Sequence, residues 1–398
     1  MNNTSQNKIK KIVLYCTAVI NAGGLERLFL EEDKFFRKKG IDTTMLTFFL
    51  RKEALYGYSP QKFEHIEPSK SKISRILLLR KKIKQLNPDL VIGQTYADGM
   101  YLYLATMFTP IRYAIHIHGT LFWFPEDTLK YSFIHKNVFS EIRESVAGHK
   151  EFIPDKIKLS LLERLKVECL SLLEYLAVRK AVSIFVISNH MKWEVEKLYN
   201  VQSIVAHGCL STENLNFCPK RNIKNELHLE NNRIILSISR LDQRKRIDLL
   251  IKSFAKLVDN YNDIVLLIGG TGEDERRLKE MVNELDINGK VLFLGFIPES
   301  ELFEYYASCD IFAYPAWRDT GITPYEALAC RKKVVWTTEA DQPILNNKYT
   351  FLANPTVNEF AIGLEKALNT EVTDKLSLED YTWDNYFNTI YSSINDIY

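Results

Sequence analysis

The chain has 398 residues, of which 46% are hydrophobic and 26% charged, and its formal net charge is +2. These values are ordinary for a soluble globular protein of two or three domains, and they exclude an intrinsically disordered chain. The charge is distributed unevenly, because residues 1–200 hold 31 basic and 21 acidic side chains whereas the remainder is acidic. That asymmetry indicates either two domains with different partners or chance variation in solvated surface.

The order of the predicted elements favours two parallel α/β sheets. Apolar runs typical of buried strands alternate with longer helical patterns in two series. The first series is 11–18, 43–49, 89–94, 112–118 and 182–188, and the second is 233–239, 263–269, 290–295, 310–315 and 333–338. A polar stretch, 207–232, separates them, so we expect two doubly wound domains with a long helical insertion at 121–181.

The lack of a recognisable signal peptide and the pattern of cysteines suggest a cytoplasmic protein. The six cysteines are dispersed without a CxxC pair, which fits reduced thiols better than a disulfide framework or a zinc site. The N-terminal segment is polar and lacks the apolar core of a signal peptide. No apolar run approaches the ~20 residues of a membrane span.

Two stretches of the first half carry candidate site residues. Gly23 and Gly24 stand between the first strand and the first helix, where a backbone can approach a phosphate or a sugar. His118 ends a predicted parallel strand, the position at which ligands bind in open α/β sheets. A capped polar side chain is the structural alternative for this histidine.

Segment 70–88 predicts a basic helix. It holds seven lysines and arginines and no acid, with isoleucines and leucines interleaved at helical spacing. One interpretation is a helix that rests on an anionic membrane. The other is an ordinary core-facing helix with a solvated basic back.

In the second half, Arg240 and Lys245 follow a strand and precede an amphipathic helix. Helix N-termini favour anions, so two cations there would hold a diphosphate, although a solvated basic loop is equally compatible with the pattern. Gly270 and Gly272 follow the next strand, and they indicate either close approach of a ligand or a tight turn. The segment is not a dinucleotide fingerprint.

The stretch "GITPYEALAC" (321–330) predicts a helix with Thr323 as its N-cap and Pro324 near its first position. Glu326 would then lie in the first turn. That position is favourable for a carboxylate on dipole grounds alone.

Taken in order, "AGGLERLFLE", "HIHG", "VAHGC", "SRLDQRK", "GGTGEDERRLK", "VLFLGFIPESELFEYYASCDIFAYPA" and "GITPYEALACRKKVV" resemble the family 4 retaining glycosyltransferases of group 1 type. The resemblance implies an α/β chain of GT-B fold, with two Rossmann-like doubly wound domains facing across a cleft. It implies an acceptor-side domain, 1–212, and a nucleotide-sugar-binding domain, 213–378. It also implies a C-terminal helix, 379–398, that crosses back to the N-terminal domain.

The function implied by the resemblance is a retaining, metal-independent transfer of a sugar in surface polysaccharide or glycoconjugate biosynthesis. The donor would be a nucleotide-diphosphate sugar, UDP- or GDP-linked, and the acceptor a glycan or polyprenyl-linked molecule, with no other cofactor. The enzyme would act in the cytoplasm, at the inner face of the plasma membrane. The alternatives are a catalytically altered nucleotide-sugar-binding protein and a sugar-nucleotide epimerase. Nucleic acid is not an expected partner, because the basic residues concentrate in one helix without an aromatic platform.

The resemblance also assigns roles to single residues. Arg240 and Lys245 would bind the diphosphate, Glu326 would accept hydrogen bonds from ribose hydroxyls, and His118 would sit beside the sugar. The remaining donor-binding candidates are Gly23, Gly24, Gly270, Gly272, Phe296, Arg318, Asp319, Gly321, Ile322 and Thr323.

The chain departs from the family pattern at a few positions. Arg318 stands where many members carry a first glutamate, and Thr320 replaces a usual aromatic residue. Asp319 could substitute for the glutamate, Arg318 could recognise a donor that bears a carboxylate, or transferase activity could have been lost. Arg246 and Arg331 occupy positions at which glycine is usual.

Overall fold

The computed structural model describes residues 9–20, 23–55, 57–119, 128–145, 158–208, 210–317, 321–340 and 347–397. The chain divides into two compact units, one of Met1–Ala206 with Tyr386–Tyr398 and one of His207–Asn385. The boundaries expected from sequence, after residues 212 and 378, stay predictions.

In the first unit, seven strands form one wholly parallel sheet. The strands of this sheet are β1 (Lys11–Tyr15), β3 (Asp42–Thr47), β5 (Phe63–His65), β6 (Leu90–Gly93), β7 (Arg112–Ile117), β8 (Ile184–Val186) and β9 (Ile204–Val205), and two further short strands are β2 (Ala18–Val19) and β4 (Phe49–Leu50). The sheet order is β5-β3-β1-β6-β7-β8-β9, and β2 pairs separately with β4.

Among the described residues, six α-helices of this unit precede its last strand. They are α1 (Gly24–Lys38), α2 (Lys72–Leu86), α3 (Tyr96–Thr106), α4 (Lys136–Ser145), α5 (Leu161–Lys180) and α6 (Asn189–Tyr199). The last helix of the chain belongs to this unit from Tyr386 onward. There the ring of Phe387 lies 5.5 Å from that of Phe35 on α1.

The second unit contains a six-stranded sheet, also wholly parallel, in the order β12-β11-β10-β13-β14-β15. Its strands are β10 (Arg233–Ile238), β11 (Ile264–Gly269), β12 (Val291–Gly295), β13 (Ile311–Tyr314), β14 (Lys333–Thr337) and β15 (Thr350–Ala353). Its helices are α7 (Ile223–Glu226), α8 (Ile247–Val258), α9 (Glu275–Glu284), α10 (Leu302–Ser308), α11 (Thr323–Ala329) and α12 (Val357–Asn369). The last helix, α13 (Trp383–Asn395), begins in this unit and belongs to the first unit from Tyr386 onward.

The prediction of two parallel α/β sheets is confirmed, and each of the ten predicted strands corresponds to an observed one. Strands β10 and β11 are buried almost throughout, because helices such as α8 cover them with apolar side chains. In a parallel sheet all strand ends of one kind meet at one edge. Residues that follow β10, β11, β12 and β13 are therefore collected at a single edge of the second sheet.

Candidate active site

The loop after β10 is tethered by one buried carboxylate. Asp242 is 5% exposed and accepts a hydrogen bond from the backbone N–H of Arg244 at 3.1 Å. The Arg244 guanidinium donates Nη2–H to Asp242 Oδ2 at 2.8 Å. Arg240 lies farther out, with Nε 3.8 Å from the same oxygen and a side chain that is 70% exposed. The loop is thus fixed by Asp242 while Arg240 extends toward solvent.

Lys245 is brought to the start of α11 by a tyrosine. Its Nζ donates to the hydroxyl oxygen of Tyr314 at 3.3 Å, and it lies 5.5 Å from the centre of that ring. Tyr314 ends β13 and is 2% exposed. A Cβ on Gly321 would come within 2.2 Å of the same hydroxyl oxygen. The structure therefore brings Lys245, Tyr314 and Gly321 together, and only glycine fits at position 321.

Glu326 lies in the first turn of α11, as predicted, and is 1% exposed. The hydroxyl of Tyr306 on α10 donates to Glu326 Oε2 at 2.9 Å. The predicted N-cap was wrong, because the helix begins at Thr323 and Ile322 occupies the cap position. Pro324 then falls at the second helical position, where its missing N–H is one of the donors that have no intrahelical partner in any helix.

Gly270 and Gly272 are explained by packing between two loops. A Cβ on Gly270 would lie 1.8 Å from the Ser239 carbonyl oxygen, and one on Gly272 would lie 2.1 Å from that of Leu241. Gly270 also has a φ of +115°, which side chains rarely adopt. The Leu241 N–H donates to the Thr271 carbonyl at 3.0 Å. These glycines hold the loop that carries Arg240 in place, and the close approach they permit is to backbone.

The remaining residues of this unit that were predicted to bind the donor substrate differ in exposure. Phe296 follows β12 at the carboxyl edge and is 69% exposed. Ile322 and Thr323 lie at the start of α11, where both are partly buried. Arg318 and Asp319 lie outside the described residues.

Two arginines, at positions where the sequence resemblance leads us to expect glycine, have the positive φ angles that glycine favours. Arg246 has a φ of +52° and Arg331 a φ of +57°. Arg246 is 6% exposed, and its Nη1 donates to Glu339 Oε2 at 2.8 Å. Arg331 is exposed. At both positions the backbone therefore has a left-handed conformation, which glycine adopts without a steric penalty.

In the first unit, the predicted site residues stand at the carboxyl edge of the other sheet. Gly23 is the N-cap of α1 and Gly24 its first residue. His118 directly follows β7, and its Nε2 lies 2.9 Å from Oε1 of Gln94, which directly follows β6. The Gln94 amide Nε2 in turn donates to Glu32 Oε2 at 2.7 Å. Sequence reasoning identified the histidine and missed its two partners.

Behind His118 lies a second histidine in a fully buried setting. The His116 and His118 ring centres are 4.0 Å apart. His116 Nε2 is hydrogen-bonded to the hydroxyl of Tyr386, and its Nδ1 lies 3.7 Å from Glu32 Oε1. Burial lowers the pKa of His116 to about 3 and raises the pKa of Glu32 to about 8. Burial, reinforced by His116, also lowers the pKa of His118 well below its usual value.

Chemically, the edge of the second sheet combines a held cation, Lys245, and an exposed one, Arg240, with a buried carboxylate, a set suited to an anion and a diol. Sequence patterns revealed the cations and Glu326 but missed Asp242 and Tyr314 in the cationic loop contacts and Tyr306 beside the carboxylate. For Tyr314 the signal was its place at the end of a predicted strand. Within the described ranges, no group of three or more histidine, cysteine, aspartate or glutamate side chains is placed to hold a metal ion.

Comparison with known families gives two matches that together span most of the chain. Residues 22–209 match the model described as Glycosyltransferase Family 4, and residues 219–380 match the model described as Glycosyl transferases group 1.

Individual relatives are more distant. An uncharacterized glycosyltransferase of Methanocaldococcus jannaschii is 26% identical over 54% of this chain and 60% of its own length. The N-acetylgalactosamine-N,N'-diacetylbacillosaminyl-diphospho-undecaprenol 4-alpha-N-acetylgalactosaminyltransferase of Campylobacter jejuni is 36% identical over 26% of this chain and 28% of its own length. The chain thus spans less than two thirds of either relative.

Among solved structures, Anabaena HepE in complex with UDP superposes with a TM-score of 0.66 at 16% identity, covering 97% of this chain and 94% of that one. At this level of identity the likeness shows the fold alone, which is the GT-B fold.

Proposed function

The chain belongs to the group 1 glycosyltransferases of family 4, and from this premise we propose that it moves a sugar from a nucleotide-diphosphate sugar to a glycan or lipid-linked acceptor with retention of configuration. Arg240 and Lys245 bind the diphosphate in this proposal, and Glu326 binds the ribose hydroxyls. His118 and Gly24, in the first unit, contact the sugar and the diphosphate.

The observation that carries the proposal is the contact of Lys245 with Tyr314, against which Gly321 is packed. As the bond between sugar and diphosphate breaks, negative charge grows on the leaving group. A cation that is already held in place stabilises this charge without reorganisation during the reaction. Arg240 extends from the same loop as Lys245 and supplies a second positive charge. These two side chains can do the work of a metal ion, so we propose a metal-independent reaction.

Glu326 supports a nucleotide rather than a simple phosphate as the ligand. A buried carboxylate is costly unless hydrogen-bond donors surround it, and Tyr306 supplies one. Ribose presents two adjacent hydroxyls, which can both donate to a carboxylate. A structural neighbour binds UDP, and a relative is named for an undecaprenol-linked acceptor. We propose the same classes of donor and acceptor for this chain.

A panel of UDP- and GDP-sugars tests this function. Incubated with the full chain, one donor should release its nucleoside diphosphate, by transfer or slow hydrolysis, with retention at the anomeric carbon. Glu326→Ala should weaken binding of the nucleoside diphosphate by about tenfold to a hundredfold, the loss expected for hydrogen bonds to a charged group. Binding of every nucleotide sugar without turnover would identify a binding protein, and exchange of sugar stereochemistry without transfer would identify an epimerase.

We further propose that α2 rests on an anionic membrane. Only Leu79 and Ile83 of this helix are buried, whereas Ile73 is 71% exposed and Leu77 is 60% exposed. Exposed apolar side chains among lysines and arginines are typical of helices that lie in the headgroup region. Among the residues the structure describes, no helix is long and apolar enough to cross a bilayer.

A further inference from the structure

Gln94 is hydrogen-bonded to two side chains of the first unit, Glu32 and His118. It is completely buried and directly follows β6, between β1 and β7 in the sheet. Its Nε2 donates to Glu32 Oε2 at 2.7 Å, and its Oε1 faces His118 Nε2 at 2.9 Å. With the amide nitrogen turned to the carboxyl group, only the amide oxygen is left for the histidine.

This orientation decides which nitrogen of His118 carries the proton. An amide oxygen can only accept, so Nε2 must be the donor. The ring is neutral, because burial holds its pKa well below the usual value. A neutral imidazole has one N–H, and the other nitrogen presents a lone pair. Nδ1 of His118 is therefore an acceptor.

The position of Nδ1 indicates a ligand. This atom is buried and has no hydrogen-bond partner among the described protein groups. It belongs to the residue that directly follows β7, at the sheet edge where ligands of parallel α/β folds bind. Buried polar atoms are nearly always hydrogen-bonded, so an unsatisfied one calls for an explanation. A hydroxyl group of a bound molecule would satisfy it.

We propose that Gln94, oriented by Glu32, is a positioning residue that fixes His118 in its Nε2–H form, so that Nδ1 accepts a hydrogen bond from a hydroxyl of the transferred sugar. The proposal rests on the proposed function, since that function supplies the sugar. It predicts a specificity: the hydroxyl in contact with His118 must donate. A donor sugar in which fluorine replaces the hydroxyl that contacts His118 should react more slowly than the unmodified donor with the wild-type protein. The two donors should react at similar rates with His118→Ala.

The tautomer can be measured without any substrate. In the full chain labelled with 15N-histidine, long-range 1H–15N spectra separate protonated from bare ring nitrogens, and His118→Asn assigns the signals. We expect Nε2 of His118 to carry the proton. Gln94→Leu should produce a mixture of both forms, while Gln94→Glu, which keeps an acceptor oxygen, should preserve the Nε2–H form. A proton on Nδ1 in the wild-type protein would overturn the proposal, whether or not the chain is a transferase.

Kinetics test the role with the donor identified by the nucleotide-sugar panel. Gln94→Leu should lower kcat/KM by about tenfold, which corresponds to about 1.4 kcal/mol, and Gln94→Glu should restore most of the loss. In a His118→Ala background, Gln94→Leu should cost nothing further, since Gln94 acts through His118. Losses that simply add in the double variant would show that Gln94 contributes only to folding.

Discussion

The ammonium group of Lys245 donates to the hydroxyl oxygen of Tyr314 at 3.3 Å, so a loop cation is held by a residue that ends the neighbouring strand β13. The two residues are 69 positions apart. Tyr314 makes the charge of Lys245 a fixed feature of the sheet edge, which is the requirement for stabilising a leaving diphosphate.

Lys245→Ala should therefore lower kcat/KM by about a hundredfold to a thousandfold, the usual range for removing one preorganised charge-stabilising group. Tyr314→Phe is the matched control, because it keeps the ring and removes only the hydroxyl, and it should cost about tenfold or less. Initial rates with the preferred donor measure both effects. If Lys245→Ala retained more than half of the activity, the diphosphate assignment would be refuted.

Arg318 stands where the resemblance places a glutamate that contacts the donor sugar, and one of the three interpretations of this change, a donor that bears a carboxylate, can be tested directly. A guanidinium binds a carboxylate in bidentate fashion, whereas a glutamate repels it. Arg318→Glu should shift the preference toward neutral donors, measured as the ratio of kcat/KM for a uronic acid donor and its neutral counterpart. Arg318→Lys is the control for charge alone. An unchanged ratio in Arg318→Glu would exclude this interpretation.

The α2 helix should bind anionic vesicles at low salt. Flotation of the full chain with vesicles containing phosphatidylglycerol should recover most of the protein, and Ile73→Ser with Leu77→Ser should remove that binding. Raising the salt should weaken it, since each lysine or arginine contributes about 1 kcal/mol near the surface. Leu161 and Leu165, exposed on α5, give a matched control. Their replacement by serine should leave flotation unchanged, and an equal loss there would argue against a specific role of α2.

Arg331 carries a backbone strain that glycine would relieve. Its φ of +57° is unfavourable for a residue with a Cβ, and its side chain is exposed. Arg331→Gly should raise the free energy of unfolding by about 0.5–1 kcal/mol in urea titrations followed by circular dichroism.

The comparison variant is Arg246→Gly, because Arg246 has a similar φ but binds Glu339 and the Pro355 carbonyl. Removing the Arg246 side chain should lower the free energy of unfolding by about 1–3 kcal/mol, since the hydrogen bonds that it makes involve a charged group. Destabilisation by Arg331→Gly would contradict the strain argument.

Glu32 should make stability fall as the pH rises. Burial raises its pKa from 4.5 to about 8, so between these values the folded state holds a proton that the unfolded state releases. The free energy of unfolding therefore decreases across this window, by at most about 1.4 kcal/mol per pH unit. His116 acts in the opposite sense, but between its folded pKa of about 3 and its usual 6.5, so above pH 6.5 its contribution is constant.

Glu32→Gln is the isosteric test. Between pH 6.5 and 8 the wild-type protein should lose stability relative to this variant, measured as the shift in urea midpoint. Parallel pH profiles of the two proteins would show that Glu32 is ionised in the folded state.

Much of the fold followed from local patterns. The apolar runs of β10 and β11 are buried on both faces, so the sequence alone indicates a parallel sheet there. Strands β2, β4 and β9 have two residues each and were missed, because so short a run has no periodicity to detect. Gly270 and Gly272 were recognised as special positions, but the close approach of the Ser239 and Leu241 backbone to them could not be derived from the sequence.

The sequence by itself determined the class of fold, because burial periodicity and turn chemistry act over a few neighbouring residues. The resemblance of its ordered motifs indicated the family, and with it the cations and carboxylate of the candidate site. Only the tertiary structure decided that Lys245 meets Tyr314 and that Gln94 joins Glu32 to His118. The order of strands in a sheet differs from their order in the chain. Which distant side chains can exchange a hydrogen bond is therefore fixed only when β1, β6 and β7, or β10 and β13, have taken adjacent places.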